Sequence, residues 1–334
     1  MAGGEDARQN GALRMKVLVL GARGFIGGEI VQRLAADPAI EVIPAGRGAP
    51  AQIDGAWSRY RAFDLHRPLD WAAAMAGCDA IINCTKFPQG EDANQRLMQA
   101  MIEAARQAGV RRLIHFSSMS AFGSANAAVI DEETVPVAPF SAYGRDKLLT
   151  EQVCADHAGQ GLSILVLRPT LVYGPGGLQW YDYFVNALRR GRLRRLRRNG
   201  DGVANLVYVG DVARLCRDAL DRDLPPYAMM VVNGPDLITF NDYFALLARK
   251  LMGQELAWLD RSRRVWNLRR VLFRLMRKAG QRLPALRAIA EAHIFALEPW
   301  VAYTAPSHYQ SAVAEGLGLN LREPIATVLD RLAG

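Results

Sequence analysis

Residues 16–27 read KVLVLGARGFIG, and the architecture of the chain follows from this segment. Its first five residues are Lys16 followed by a continuously apolar run, which is typical of a buried parallel strand. Glycines then recur at every third position, and the apolar residues Ile30, Val31 and Leu34 continue with a helical period. A strand, a glycine turn and a helix in this order predict a backbone cradle for phosphate groups, because a helix N-terminus offers free N–H donors.

Each glycine of the cradle permits a different close approach. Gly21 allows the tight turn, Gly24 lets the backbone approach a pyrophosphate, and Gly27 lets the helix pack on the strand. The segment therefore predicts a dinucleotide site. Its expected cofactor contacts are Gly21, Arg23, Gly24, Phe25, Ile26 and Gly27.

The alternation of strands and helices continues to residue 116. Strands are predicted at Glu41–Ala45, Tyr60–Leu65, Asp79–Cys84 and Arg112–Phe116, and Asn94–Gln107 has the apolar period of a helix. Strands separated by helices of this length predict an α/β fold built on a Rossmann-like, doubly wound parallel sheet. Ligands of such sheets bind at the carboxyl ends of the strands.

The ends of the second, third and fourth strands indicate which dinucleotide binds. An NAD site usually carries an acidic residue after the second strand, whereas this chain offers Arg47, with Arg23 in the glycine turn. Two guanidinium groups suit a 2′-phosphate, so the sequence favours NADP over NAD. Asp64 is expected to accept from the adenine amine, and Cys84 and Thr85 are expected to lie beside the cofactor.

Composition narrows the class of protein. The chain has 334 residues, of which 50% are hydrophobic, and no apolar run reaches the roughly 18 residues that a membrane-spanning helix needs. Residues 1–14 lack an apolar core, so they are predicted to be a disordered lead and not a secretory signal. Four dispersed cysteines are expected to be reduced thiols in a cytoplasmic protein, and no metal site is expected.

A second group of reactive side chains follows the fifth strand. Ser118 lies just beyond that strand, and Tyr143 and Lys147 are four positions apart, on one face of a predicted helix. A lysine beside a tyrosine can lower the pKa of the phenol from its usual value of about 10. A tyrosine tuned in this way transfers a proton to or from the oxygen of an alcohol or ketone.

These segments together resemble the extended short-chain dehydrogenase/reductases, the NAD(P)-dependent epimerase/dehydratase superfamily. The resemblance rests on segments that occur in family order, namely 21–27, 116–123, 143–147, 167–176 and 206–213. It implies that Ser118 orients the substrate oxygen and that Tyr143 is the general acid/base. Lys147 would lower the pKa of Tyr143 and, with Tyr143, contact the cofactor at its nicotinamide ribose.

The resemblance also implies further contacts and a domain organisation. Cofactor contacts are implied at Pro169 and Val172, and Ser117 and Ser120 are less favoured alternatives to Ser118. Two interleaved lobes are implied. The NAD(P)-binding domain would comprise 15–173 with 205–233 returning to it, and the smaller C-terminal α/β substrate lobe would comprise 174–204 and 234–334.

Two segments depart from the family pattern. The family often reads His-x-Ala-Ala after the fourth strand, where residues 83–87 read NCTKF. Lys86 in this segment either contacts the substrate or lies in solvent. Dehydratases of the family usually carry an acidic pair after the catalytic serine, whereas Met119 and Ser120 stand here, which argues against dehydration.

The net charge of +8 is concentrated in two segments. Seven arginines lie within 189–198, and residues 261–278 include basic but no acidic side chains. This clustering indicates an anionic partner, which is a phosphorylated substrate, a membrane surface or a nucleic acid. In the resembled family the first segment belongs to the lobe that holds a nucleotide diphosphate. The second predicts a basic amphipathic helix, which either packs on that lobe or lies on a membrane.

Three hypotheses follow. The first is an NADP(H)-dependent oxidoreductase or epimerase that acts on a secondary carbinol or ketone of a nucleotide-linked sugar. The second is a membrane-associated reductase of a lipid-like, steroid- or flavonoid-type, alcohol. The third, a non-catalytic cofactor-bound protein or a nucleic-acid binder, is disfavoured by the complete set of Ser118, Tyr143 and Lys147. The expected partner is an anionic small molecule, and peripheral membrane contact and a homodimer are left open.

Overall fold

A computed structural model of the protein describes residues 14–48, 50, 53–67, 71–87, 90–125, 127–139, 141–197, 200–259 and 303–333. The basic segment 261–278 and Arg198 lie outside the described residues, so the predictions made for them stay untested. None of the helices within the described ranges is both long and apolar enough to cross a membrane.

The regular elements alternate along the chain. The described strands are β1 (Met15–Leu20), β2 (Ile40–Gly46), β3 (Arg61–Ala62), β4 (Ala80–Asn83), β5 (Arg112–Phe116), β6 (Val129–Ile130), β7 (Ser163–Pro169), β8 (Leu171–Tyr173), β9 (Arg195–Leu196), β10 (Leu206–Tyr208), β11 (Tyr227–Val232), β12 (Trp258–Leu259) and β13 (His308–Tyr309). The described α-helices are α1 (Phe25–Ala35), α2 (Trp71–Met75), α3 (Glu91–Gln107), α4 (Ala142–Asp156), α5 (Tyr183–Arg189), α6 (Val209–Leu220), α7 (Phe240–Met252) and α8 (Ile325–Ala333).

Seven parallel strands form the central sheet in the order β3-β2-β1-β4-β5-β7-β11. The order runs outward from β1 in both directions, which is the pattern of a doubly wound sheet. The predicted α/β fold with a Rossmann-like parallel sheet is therefore confirmed. The sequence places β5 at the residues where the structure has it, whereas β1 and β2 each begin one residue earlier than predicted.

Strand β1 lies in the middle of the sheet and faces two cores. Successive side chains of a strand point to opposite faces. Val17 and Val19 accordingly pack with α1 and α6 on one face, and Leu18 and Leu20 pack with α2 and α3 on the other. All four side chains are 0% exposed, which explains the uninterrupted apolar run.

The third strand is shorter than predicted. Only Arg61–Ala62 pairs with β2, where the sequence indicated a strand from Tyr60 to Leu65. The reason is a turn at Asp64, whose Oδ1 accepts from the backbone N–H of His66 at 3.0 Å. Side chains that hydrogen-bond to the backbone two residues on favour turns over strands.

Helix starts follow their capping residues. Thr239 caps α7 in a reciprocal arrangement with Asp242. Ser141 caps α4 by accepting from the N–H of Gly144 at 3.0 Å. The second cap sets the first turn of the helix that carries Tyr143 and Lys147.

An aromatic core lies apart from the sheet, beneath α5, α7 and α8. Its buried rings include Phe184, Phe240, Tyr243 and Tyr303, with neighbouring centroids 4.7–6.4 Å apart. We propose that this core belongs to a separate substrate lobe, interleaved as the resemblance implies. In support, β11 adds an edge strand to the central sheet.

The crowding at Gly27 leads to a stability prediction. A Cβ at Gly27 would lie 2.3 Å from the carbonyl oxygen of Gly21, whereas a Cβ at Gly28 would lie 3.5 Å from that of Ala22. We expect Gly27→Ala to lower the free energy of unfolding by about 1–3 kcal/mol, because helix and turn must separate. Gly28→Ala, the matched control, should leave it unchanged or raise it by about 1 kcal/mol. Urea denaturation measures both, and equal effects would contradict the packing role of Gly27.

Candidate active site

The predicted site residues lie at one edge of the sheet. Gly21 follows β1, Arg47 follows β2, Thr85 follows β4 and Ser118 follows β5, while Pro169 ends β7. These strands are parallel, so their carboxyl ends share that edge. The structure thus brings together side chains that are far apart in sequence.

The glycine turn has the geometry of an anion cradle. Gly21 has a φ of 78°, and a Cβ there would lie 3.1 Å from the carbonyl carbon of Cys84. Helix α1 starts at Phe25 without a side-chain cap on its N-terminal N–H groups and without an acidic residue in its first turn. The positive end of the helix dipole is therefore free to face an anion, and these residues fit the pyrophosphate of a dinucleotide.

The two arginines expected near a 2′-phosphate meet at the end of β2. Arg23 Nη1 donates to the carbonyl oxygen of Arg47 at 3.0 Å, and both side chains are exposed. The Tyr60 hydroxyl approaches the same carbonyl at 3.4 Å. The end of β2 is accordingly basic at this point.

The other predicted cofactor contacts surround the turn. The ring of Phe25 lies against Gly177, since a Cβ at that glycine would lie 2.9 Å from the ring. Ile26 and Val172 are partly buried against the core that contains α1. Cys84 lies next to the turn, and burial raises the pKa of its thiol to about 12, so the thiol stays protonated.

Helix α4 packs closely on the turn that follows β5. A Cβ at Gly144 would lie 2.4 Å from the carbonyl oxygen of Ser120. Ser118 caps the short 3₁₀ turn Met119–Phe122 by accepting from the N–H of Ser120 at 3.2 Å. Because a glycine stands at 144, the neighbouring Tyr143 reaches Ser118.

The side chains of Ser118 and Tyr143 face each other. Burial raises the pKa of Tyr143 above its usual value of 10, and the neighbouring Ser118 hydroxyl acts in the opposite direction. The expected lowering of this pKa by Lys147 is therefore not what the structure shows. Lys147 Nζ lies 5.8 Å from the centroid of the Tyr143 ring and donates its hydrogen bond to the backbone of β5.

Lys147 is held beneath the site by the backbone of β5. Its Nζ donates to the carbonyl oxygen of Phe116 at 2.6 Å, and the residue is only 6% exposed. Burial lowers its pKa from 10.5 to about 8. The ammonium is thus fixed in position on the same helix as the phenol.

A buried ion pair underlies the catalytic turn and was missed by sequence reasoning. Arg168 Nε lies 3.0 and 3.1 Å from the two carboxylate oxygens of Glu151, and Ser117 Oγ also donates to Glu151. The guanidinium carbon of Arg168 is 4.3 Å from the centroid of the Phe122 ring. Ser117 is therefore engaged in the interior, while Ser118 faces Tyr143.

A second polar chain joins β4, β5 and α4. Burial lowers the pKa of His115 well below its usual range, so the imidazole is neutral. The Asn83 amide nitrogen, 3.1 Å from His115 Nδ1, acts as donor, and Nε2–H then faces Thr150 Oγ1 at 3.3 Å. Thr150 Oγ1 donates to the carbonyl oxygen of Lys147 at 2.9 Å. In the sequence, the only signal of this polar network is that Asn83 and His115 interrupt otherwise apolar strands.

Two members of the arginine cluster have local partners. Arg194 Nη1 donates to the carbonyl oxygens of Gly191 and Leu193 at 2.6 and 2.8 Å. The guanidinium of Arg195 stacks 4.2 Å from the centroid of the Trp258 ring. Arg189, Arg190, Arg192 and Arg197 are exposed. The structure does not bring these side chains into contact with the catalytic group.

Comparisons with known proteins agree with this geometry. Residues 17–232, more than half of the chain, match the NAD dependent epimerase/dehydratase family. A dTDP-6-deoxy-L-talose 4-dehydrogenase (NAD(P)(+)) from Kitasatospora kifunensis is 35% identical over 48% of this chain and 54% of its own length. A decarboxylating sterol-4-alpha-carboxylate 3-dehydrogenase from Homo sapiens is 26% identical over 66% of this chain and 61% of its own length. The matches thus span less than two thirds of these relatives.

The fold is also that of solved epimerases. UDP-N-acetylglucosamine 4-epimerase from Bacillus cereus superimposes with a TM-score of 0.69 at 18% identity, and the alignment covers 96% of this chain and 98% of that one.

The buried ammonium of Lys147 predicts a pH dependence of stability. Its pKa of about 8 in the folded protein lies below 10.5, so burial of the charge destabilises the fold below pH 8. As the pH rises from 8 to 9.5, the folded state loses this proton before the unfolded state does, and stability gains roughly 1 kcal/mol per pH unit. We expect Lys147→Met to lack that gain. Urea denaturation across this range measures the difference, and parallel pH profiles would contradict it.

Proposed function

The chain belongs to the NAD dependent epimerase/dehydratase family, and we propose on this premise that it is an NADP(H)-preferring oxidoreductase or epimerase of a secondary carbinol or ketone. The observation that carries the proposal is the convergence of Ser118 and Tyr143 at the end of β5, beside the fixed ammonium of Lys147. A phenol and a hydroxyl that converge at the edge of the sheet are suited to bind one substrate oxygen.

The cofactor would be held by the residues at the carboxyl ends of the strands. The α1 N-terminus and the glycine turn would bind its pyrophosphate, and Arg23 and Arg47 would bind a 2′-phosphate. Lys147 would bind the ribose next to the reacting ring. When bound, the nicotinamide supplies or accepts the hydride.

Tyr143 would handle the proton that accompanies the hydride. Because burial raises the pKa of its phenol, the phenol carries its proton at neutral pH. It is then ready to donate that proton to a ketone oxygen as the ketone is reduced. Ser118 would hold the same oxygen and stabilise the negative charge that develops on it. In the oxidative direction Tyr143 would first lose its own proton to solvent, and the resulting phenolate would take the proton from the carbinol.

The substrate class is argued from the relatives. The talose dehydrogenase acts, by its name, on a dTDP-linked sugar, and the sterol dehydrogenase on a sterol carboxylate. We keep a nucleotide-linked sugar as the first candidate for this chain and a lipid-like alcohol as the second. The basic cluster at 189–197 supports the first, because exposed arginines suit a diphosphate. The second is supported by the sterol dehydrogenase among the relatives.

Replacement of the phenol tests the proton-transfer role. We expect Tyr143→Phe to lower kcat by about 10²–10⁴-fold, because the proton donor is lost. Cofactor affinity, measured by nicotinamide fluorescence, should change by less than about threefold. Tyr183→Phe is the matched control, because Tyr183 is 37% exposed and Tyr143 is 36% exposed. Turnover retained by Tyr143→Phe would refute the assigned role.

Charge reversal at the end of β2 tests the cofactor preference. Arg47→Asp should weaken NADP binding by about 10–100-fold, because a charge-assisted contact to the 2′-phosphate is lost. NAD binding should change far less. Arg96→Asp, the same charge change on an exposed position of α3, should affect neither dinucleotide. Equal weakening of NADP and NAD by Arg47→Asp would remove the basis for the preference.

A further inference from the structure

A second ammonium lies beside the phenol. Lys86 is exposed in the loop after β4, and its Nζ is 5.4 Å from the centroid of the Tyr143 ring. Lys147 Nζ is 5.8 Å from the same centroid. The sequence left open whether Lys86 contacts substrate or solvent, and the structure places it next to the proton-transfer group.

The two ammonium groups differ in their surroundings. Lys147 is buried and committed to the carbonyl oxygen of Phe116. Lys86 has no ion pair with a carboxylate within the part of the chain that the structure describes. Glu151, the buried carboxylate of α4, is already occupied by Arg168. The site therefore has an excess of positive charge, and Lys86 is the exposed one of its two ammonium groups.

We propose that Lys86 is a specificity-determining residue that binds a carboxylate on the carbon next to the reacting carbon. The substrate would thus be a 3-hydroxy acid or a 3-oxo acid. This inference rests on the proposed function and deepens it, because the same definition admits both a uronic acid of a nucleotide sugar and a carboxylated lipid.

The distance between Lys86 and Tyr143 explains why we choose 3-hydroxy and 3-oxo acids as the substrate class. Lys86 Nζ lies 5.4 Å from the centre of the Tyr143 ring, so an anion bound by Lys86 would lie within several ångströms of a substrate oxygen held by the phenol. In a 3-hydroxy acid the carboxylate and the hydroxyl are separated by a comparable span. The substrate would then be held at both ends, with its oxygen on Ser118 and Tyr143 and its charge on Lys86. A two-point attachment of this kind orients the carbon that reacts.

The carboxylate takes no part in the bond changes. In the oxidative direction the carbinol carbon loses its hydrogen as a hydride to the oxidised nicotinamide, and the hydroxyl proton passes to the phenolate form of Tyr143 and from there to solvent. The products are the 3-oxo acid, the reduced cofactor and one proton. Lys86 contributes binding energy and orientation only.

Matched acid and neutral substrates test the assignment. The probes are 3-hydroxydodecanoate with its methyl ester, and UDP-glucuronate with UDP-glucose, each assayed with NADP and with NAD for reduced nicotinamide and for epimerised product. Wild-type protein should prefer the acid of at least one pair. Lys86→Met should lower kcat/KM for that acid by about tenfold or more, chiefly through KM, because a charge-assisted contact is lost. The neutral partner should change by less than about threefold, and Lys86→Arg should restore most of the preference.

Three results would overturn the proposal. Equal losses on the acid and on its neutral partner would show that Lys86 acts on Tyr143 and not on a carboxylate. A wild-type preference for the neutral member of each pair would exclude the acid class and leave the proposed function intact. Turnover of neither member of either pair would also exclude it. Failure of the proposed function itself is read separately, from Tyr143→Phe and from dinucleotide binding.

Discussion

The close contact between helix α4 and the turn after β5 is the constraint on which the site depends. At Gly144 the helix is so near the carbonyl oxygen of Ser120 that a Cβ would lie 2.4 Å away. Any larger side chain would push the helix off the sheet. The juxtaposition of Tyr143 and Ser118, and the hydrogen bond from Lys147 to the carbonyl oxygen of Phe116, both require this approach. Gly144, which has no side chain, thus sets the geometry of Ser118, Tyr143 and Lys147, whose side chains are reactive.

Buried polar contacts keep that approach rigid. The pair of Glu151 and Arg168 joins α4 to β7, and removing one partner of such a pair costs about 3–5 kcal/mol. The chain from Asn83 through His115 to Thr150 joins α4 to β4 and β5. Both networks reach groups on neighbouring strands, so helix α4 is tied to the sheet at several points. Preorganisation of this kind is what proton transfer at a fixed oxygen requires.

The proposed chemistry and the proposed substrate specificity lie on different parts of the same edge of the sheet. Ser118, Tyr143 and Lys147 lie on β5 and α4, whereas Lys86 comes from the loop after β4. The sequence of that loop departs from the pattern common in the family. Variation there can alter the substrate preference without disturbing the proposed proton-transfer group. The arginine cluster, which the charge distribution suggested as the anion site, has part of its guanidinium groups engaged with local carbonyls and with Trp258.

The sequence alone determined the parallel sheet, the glycine cradle and the catalytic candidates, because each depends on a local pattern. Apolar runs specify buried strands, and glycine spacing and the four-residue interval from Tyr143 to Lys147 follow backbone geometry. Only the tertiary structure decided the direction of the pKa of Tyr143, the partners of Ser117 and the position of Lys86. Burial and contacts between side chains distant in sequence set these properties. A linear pattern carries the residue types, but not the desolvation and the distances that folding imposes on them.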